Sequence, residues 1–197
     1  PGLSLDLTTS DAEGNSWDFS KAHMREKARK ALREQEPALL IACPMCGAFS
    51  SWMAINYQRM DSEEVRRKLR EALEHLKFAL ELCAEQHRRG GLFVFEHPVA
   101  ATSWGTRMVA SMLTMPGVEM VNFDFCTLGM ITVDQNGDKA AAKKRTKVLT
   151  NSQHVAAALR QCQCAGLHAH YHLEEGRAHD CEVYPEAFAN LIVQPAA

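Results

Sequence analysis

Long apolar runs are missing from this chain of 197 residues. The longest, such as Ala38 to Cys43, stop far short of the roughly 20 residues a membrane-spanning helix needs, so no membrane partner is expected. A positive surplus is missing too: 22 basic against 24 acidic residues leave a net charge of −2. That balance excludes a broadly cationic nucleic-acid coat and leaves room for a local basic patch. Pro1 to Asp11 lack the basic start and apolar core of a secretory leader. No internal repeat or low-complexity stretch interrupts the chain. Cysteine, by contrast, is present seven times, an odd number. Reduced thiols in a cytoplasmic or nuclear setting fit that number better than paired disulfides, so an intracellular protein is expected. A chain of this size buries roughly 70 % of its unfolded surface and needs no disulfide frame.

Short apolar runs alternate with longer amphipathic stretches. Leu3 to Leu7 alternates with period two and predicts a strand, and Phe19 to Gln35 a helix closed by Glu36-Pro37. Ala38 to Cys43 reads as a strand buried on both faces. The clearest helix runs from Asp61 or Ser62 to Arg89. It has Glu63 and Glu64 in its first turn, an apolar stripe of Val65, Leu69, Leu73, Leu76, Leu80 and Cys83, and Gly90-Gly91 as its left-handed cap. Leu92 to Glu96 then predicts a buried strand, Thr102 to Thr114 a helix and Val118 to Phe123 a strand. Asn136-Gly137 marks a hairpin turn after Met130 to Val133. Lys147 to Thr150, Gln153 to Gln161 and Tyr184 to Val193 follow as strand, helix and helix. Strands separated by helices imply an α/β fold with a mostly parallel sheet flanked by helices. Residues 1–161 are expected to form that domain, with the Cys/His-rich segment 162–197 and its final helix packed on it.

Reactive side chains gather where strands end, which is where α/β sheets collect ligands. Cys46 and Ser50 follow the strand at Ala38, Glu96 closes the next, and Lys143, Lys144, Arg145 and Lys147 crowd near a later one. A thiol, a carboxylic acid and cations on one rim make a plausible catalytic set. Cys43 and Cys46 also form Cys-x-x-Cys after a strand, the spacing of a thioredoxin-like thiol pair. Of the two, Cys43 is expected to be buried and Cys46 exposed. A further reading is metal: Cys162, Cys164, His168 and His170, with His172, His179 and Cys181 nearby, supply enough sulfur and nitrogen for tetrahedral zinc.

Pro44-Met45-Cys46-Gly47-Ala48-Phe49-Ser50 resembles the Pro-Pro-Cys-x-x-Phe-Ser loop of the DNA cytosine-5 methyltransferases. Phe95-Glu96-His97-Pro98 is similar to their Glu-Asn-Val motif, and Arg145-Thr146-Lys147 stands in place of their Gln-x-Arg-x-Arg strand. Several segments together look like a divergent group in retroelement-like polyproteins of protists and fungi. They are Leu5 to Thr9, Trp17-Asp18-Phe19, Glu96 to Trp104, Thr146 to Asn151 and Gly176-Arg177-Ala178.

The resemblance implies the class I methyltransferase fold, incomplete at its N-terminus, and nucleic acid as partner, DNA rather than RNA. It implies that the Cys46 thiolate adds to carbon 6 of a flipped cytosine while Glu96 holds nitrogen 3 and the exocyclic amine. Ser50, Arg145, Lys147, Lys143 and Lys144 would hold the base or flanking phosphates. Asp6 and Asp18 would be remnants of the acidic positions that contact S-adenosylmethionine. The family's Phe-x-Gly-x-Gly donor loop does not precede Cys46, so this chain alone is expected not to bind S-adenosylmethionine. A missing N-terminal segment or a partner chain would have to supply that loop. The alternative is a nucleic-acid-binding module without catalysis.

Overall fold

The computed structural model describes residues 2–133, 136–173 and 181–194, apart from the side chains at 51, 52 and 54. The chain divides into two compact units. The first comprises Pro1–Phe95 and Ala101–Met112, and the second Glu96–Ala100 and Leu113–Ala197.

Local side-chain chemistry shapes the start of the first unit. Leu3 to Leu7 is not a strand. The Thr9 hydroxyl donates to the Ser4 carbonyl at 3.0 Å, and Asp6 accepts the amide and hydroxyl of Thr8 at 2.9 and 2.7 Å. Such short polar side chains offer the backbone a turn in place of a sheet ladder. Helix α1, Ala22–Gln35, buries Met24, Ala28 and Leu32, one face at four-residue spacing. It ends on Glu36, which adopts a left-handed conformation (φ 42°) just before Pro37. Strand β1, Leu39–Ala42, leads to a 3-10 turn, Gly47–Phe49, and helix α2, Ser51–Tyr57. Helix α3, Ser62–Arg88, begins as its sequence predicts, with the Asp61 carboxylate accepting from the amides of Glu63 and Glu64. Gly90 takes the left-handed cap at φ 81°. The apolar stripe of α3 is buried only in its second half, at Leu76, Phe78, Ala79, Leu80, Leu82 and Cys83. Leu73 remains 40 % exposed. Phe78 and Leu82 join Trp17, Met24, Ala28 and Leu32 in the core of this unit.

Strand β2, Leu92–Pro98, runs parallel to β1, with Leu39 opposite Leu92 and Ala42 opposite Phe95. Two helices separate them, as a parallel crossover requires. The expectation that Ala38 to Cys43 is buried on both faces is corrected. Strand β1 lies at the sheet edge, Ile41 is 42 % exposed and Cys43 is exposed. The single helix expected over Thr102 to Thr114 divides into a 3-10 turn, Thr102–Gly105, and helix α4, Arg107–Leu113.

In the second unit, strand β3, Glu119–Asp124, pairs antiparallel with strand β6, Arg145–Thr150. Among the described residues between them there is no α-helix. A 3-10 turn, Phe125–Leu128, is followed by strands β4, Ile131–Val133, and β5, Lys139–Ala142, which pair antiparallel. The Asn136-Gly137 turn signal is thus matched by a strand pair, with Gly137 at φ 86°. Strand β7, His170–Tyr171, adds parallel to β5. Helices α5, Gln153–Arg160, and α6, Glu186–Val193, complete the unit. Its core stacks Phe188 on Phe123, nearly parallel at 5.4 Å, with Phe125 edge-on at 4.7 Å from Phe123.

The expected mostly parallel, class I methyltransferase-like sheet is therefore wrong. The described strands form two small sheets in which antiparallel pairing prevails, and in the sheet that contains β1 and β2 that pair is the parallel one. The physical reason lies between β3 and β6. A parallel return needs a crossover, usually a helix, and here a hairpin stands in that place. Among the described residues no helix is long and apolar enough to cross a membrane.

Candidate metal centre and buried carboxyl site

Four side chains of the second unit converge: Cys126, Cys164, His168 and His170. Cys126 sits in the 3-10 turn that follows β3, so the strand end fixes its backbone. Cys164 lies beyond α5. Its amide donates to the Asp124 carboxylate at 3.0 Å, and the Asp124 amide donates to the Cys162 carbonyl at 2.8 Å. These two bonds lay the Cys162 to Cys164 segment against the end of β3. His170 opens β7, where pairing with Ala141 of β5 holds it, and the His168 ring lies 4.4 Å from the His170 ring.

The ligand atoms all lie within 4.8 Å of one another. The Nε2 of His170 is 3.4 Å from the Cys164 sulfur and 3.3 Å from the Cys126 sulfur. His168 Nε2 is 3.7 Å from the Cys164 sulfur. Burial, then the neighbouring Cys164 sulfur and the Asp124 carboxylate, push the Cys126 thiol up to about 11. Burial and the nearby Lys143 hold the His170 imidazole below its usual range, which favours the neutral, ligating form. This Cys/His cluster can hold a metal ion.

Relative to the sequence reading, Cys126 takes the place of Cys162. The Cys162 sulfur turns back on its own helix, 3.5 Å from the Ala158 carbonyl. Cys162 and Cys164 are two residues apart, and only Cys164 meets the histidines. Cys126 was legible only as a lone cysteine just past a predicted strand, and nothing in its spacing ties it to residues about forty positions on. His172 lies outside the cluster. Gly176-Arg177-Ala178 and His179 lie outside the described residues, and Cys181 is buried.

A second feature of the same unit is Glu96, 5 % exposed near the end of β2. The Tyr184 hydroxyl donates to its Oε2 at 2.8 Å. Its Oε1 is buried with no hydrogen-bond partner among the described residues, as is the hydroxyl oxygen of Thr146 on β6. Burial raises the Glu96 pKa, against the opposing pull of Lys144, Tyr184 and Thr146 toward the charged form. The result is a carboxyl that favours its proton more than an exposed one would, with Tyr184 and Thr146 as its polar neighbours.

The basic residues are not equivalent. Lys144 is turned inward: its ammonium donates to the Cys181 carbonyl at 2.8 Å and lies over the Phe125 and Tyr184 rings. Arg145 is exposed and paired with Asp124, Nε to Oδ1 3.8 Å. Lys143 is exposed and Lys147 half-buried.

In the first unit, Cys46 is half-buried at the start of the 3-10 turn Gly47–Phe49. Ser50, expected at a base or phosphate, caps α2 by accepting from the Met53 amide at 3.2 Å. Cys43 is exposed and Cys83 buried, the reverse of the burial expected for Cys43. Burial and the neighbouring Cys43 push the Cys83 thiol well above its usual range. Mild alkylation near neutral pH is therefore expected to label Cys43 at least as fast as Cys46 and to leave Cys83 unmodified, read by peptide mass spectrometry. Preferential labelling of Cys83 would contradict that placement.

The two acids expected at a methyl donor are engaged in turns of their own. Asp6 is engaged by Thr8, and Asp18 accepts the amide and hydroxyl of Ser20 at 3.0 and 2.6 Å. Both carboxyls are held below their usual range by these turns, the hydroxyls contributing most. Comparison of the chain with protein-family models, curated proteins and solved structures finds no match.

Proposed function

We propose that this chain is a nucleic-acid module that recognises a cytosine base through Glu96, in a unit stabilised by zinc. The observation that carries the recognition is the buried Glu96 carboxyl, whose burial favours the protonated form. A protonated or proton-sharing carboxyl can present both a donor and an acceptor to a pyrimidine edge, which suits nitrogen 3 and the exocyclic amine of cytosine. The base must leave its stack to reach such a group. The motif around Cys46 supports a cytosine-5 methyltransferase-like ancestry. Methyl transfer by this chain is not proposed, because Asp6 and Asp18 are spent on their own turns.

Zinc is the proposed ion on grounds of ligand chemistry and spacing. Two sulfurs and two imidazoles form a common structural zinc set. With zinc–sulfur bonds of about 2.3 Å and zinc–nitrogen bonds of about 2.05 Å, a tetrahedron needs sulfur–nitrogen edges of roughly 3.5 Å. The three edges here are 3.3, 3.4 and 3.7 Å. With four protein ligands the site is closed, so its ion would organise the fold and has no open position for a substrate.

Binding of a cytosine-containing oligonucleotide, followed by fluorescence anisotropy across a salt series, tests the recognition. Glu96→Ala is expected to weaken cytosine binding roughly tenfold or more while leaving the salt slope unchanged, since a base contact carries no counterion term. Lys143→Ala is expected to flatten the slope by about one unit. Equal affinity of the Glu96→Ala variant and the parent for cytosine would sink the reading.

A further inference from the structure

We infer that the metal centre sets the geometry of the Glu96 site, with Phe125 as the positioning residue between them. The inference rests on the reading of Glu96 as the base-holding carboxyl. Cys126, a ligand, directly follows Phe125 in the 3-10 turn Phe125–Leu128. The Phe125 ring stacks on Tyr184, nearly parallel at 5.4 Å, and carries the Lys144 ammonium 4.9 Å from its centroid. Tyr184 in turn donates to Glu96 at 2.8 Å, and Lys144 also lies over the Tyr184 ring at 5.2 Å. One residue, Phe125, separates the metal cluster from both groups that tune the carboxyl.

The backbone runs the same way. The Phe125 amide donates to the Lys144 carbonyl at 3.1 Å, and the Lys143 amide donates to the Tyr171 carbonyl at 2.9 Å. Tyr171 follows the ligand His170 in β7. The Cys126 segment and the His170 segment are therefore bonded to the adjacent lysines 143 and 144, one on each side. An ion that draws Cys126 and His170 together fixes the Lys143–Lys144 backbone between them, and with it the direction in which Lys144 enters the Phe125–Tyr184 stack. Released from the ion, the turn holding Phe125 keeps its backbone bonds but loses the tie that sets its distance from β7. Ring stacking and a cation over an aromatic face are each weak enough for such a shift to redistribute them. The metal thereby acts on base recognition without touching the base.

The test reads the Glu96 carboxyl itself. In the full chain with carbon-13-labelled glutamate, the Glu96 side-chain carboxyl resonance is assigned by its absence in Glu96→Gln, then followed with zinc bound and after chelation. Chelation is expected to displace it under conditions where circular dichroism shows the chain still folded. In Phe125→Leu, which keeps all four ligands, one zinc per chain is expected to remain bound. There the displacement on chelation should shrink by at least about threefold, because the link has been cut. A zinc that only stabilises the fold would alter the melting temperature and leave the resonance of the folded chain in place. Should chelation unfold the parent, exchange of zinc for the larger cadmium ion in the folded chain decides instead. A Glu96 resonance unmoved by that exchange overturns the inference, and one that moves in the parent but at least about threefold less in Phe125→Leu supports it. No nucleic acid enters this measurement, so failure of oligonucleotide binding bears on the reading of Glu96 and an unmoved resonance bears on the coupling.

Discussion

Cys126→Ser and Cys164→Ser are each expected to abolish tight zinc binding and to lower stability by about 4 kcal/mol, the size associated with loss of a structural metal. In a chain of 197 residues that reads as a fall of roughly 10 °C in Tm. Cys162→Ser is the control: its sulfur faces the Ala158 carbonyl and no histidine, so metal content should stay at one per chain and Tm should barely move. The contrast is the informative part, because composition alone makes Cys162 and Cys164 look alike. The effect is large because the ion would join segments distant in sequence. Cys126 follows β3, whereas Cys164, His168 and His170 come after α5. Binding free energy at a site that does not exist in the unfolded chain is folding free energy. A chelator should reproduce the loss in the parent and leave the Cys126→Ser variant unaffected. Metal analysis of the purified chain together with thermal unfolding measures both. Equal loss of metal from Cys162→Ser would place the fourth ligand elsewhere.

The helix boundaries of the first unit could be read from residues whose local chemistry admits one answer. Asp61 before Glu63 and Glu64, Gly90 after Arg89, and Glu36 before Pro37 each act within a few positions. Asn136-Gly137 likewise announced the β4–β5 pair. Period two at Leu3 to Leu7 misled, because Asp6, Thr8 and Thr9 spend their side chains on the neighbouring backbone. The direction of β6 against β3 was not legible. Both strands carry ordinary apolar patterns, and orientation is decided by what the intervening chain does, which is a tertiary matter. Three of the four metal-cluster residues, Cys164, His168 and His170, could be seen because they are close in sequence. Cys126 could not, since it reaches the others through the β3 end and the bond from the Cys164 amide to Asp124. Glu96 stands out in the sequence by its place after a short apolar run, and the strand there continues to Pro98. The inward turn of Lys144 over Phe125 and Tyr184 lay beyond any sequence pattern, because a run of basic residues ordinarily points to water.

Glu96→Gln is expected to make stability less dependent on pH than in the parent, and to raise it relative to the parent as pH climbs. Burial is the largest influence on this carboxyl and raises its pKa, so the folded chain holds the proton more tightly than the unfolded one. Stability from this group is therefore whole below the ordinary carboxylate range. It is lost as pH rises from there toward the folded value, at up to about 1.4 kcal/mol per pH unit. Above that window the folded chain carries a buried carboxylate whose desolvation the Lys144 ammonium and the Tyr184 hydroxyl offset only in part. Glutamine removes the ionisation and keeps an oxygen to accept from Tyr184. Lys144 loses an attractive neighbour in the variant but keeps the Cys181 carbonyl and both rings, so it is not stranded. Urea unfolding at a series of pH values from 4 to 8 measures the difference between parent and variant, which cancels the titration of groups common to both. A difference that widens in favour of Glu96→Gln with rising pH is the expected result. Were it to widen in favour of the parent, the attraction of Lys144 for a charged Glu96 would outweigh burial. The carboxyl would then meet a base as a carboxylate acceptor only, and cytosine nitrogen 3 would lose its proton donor.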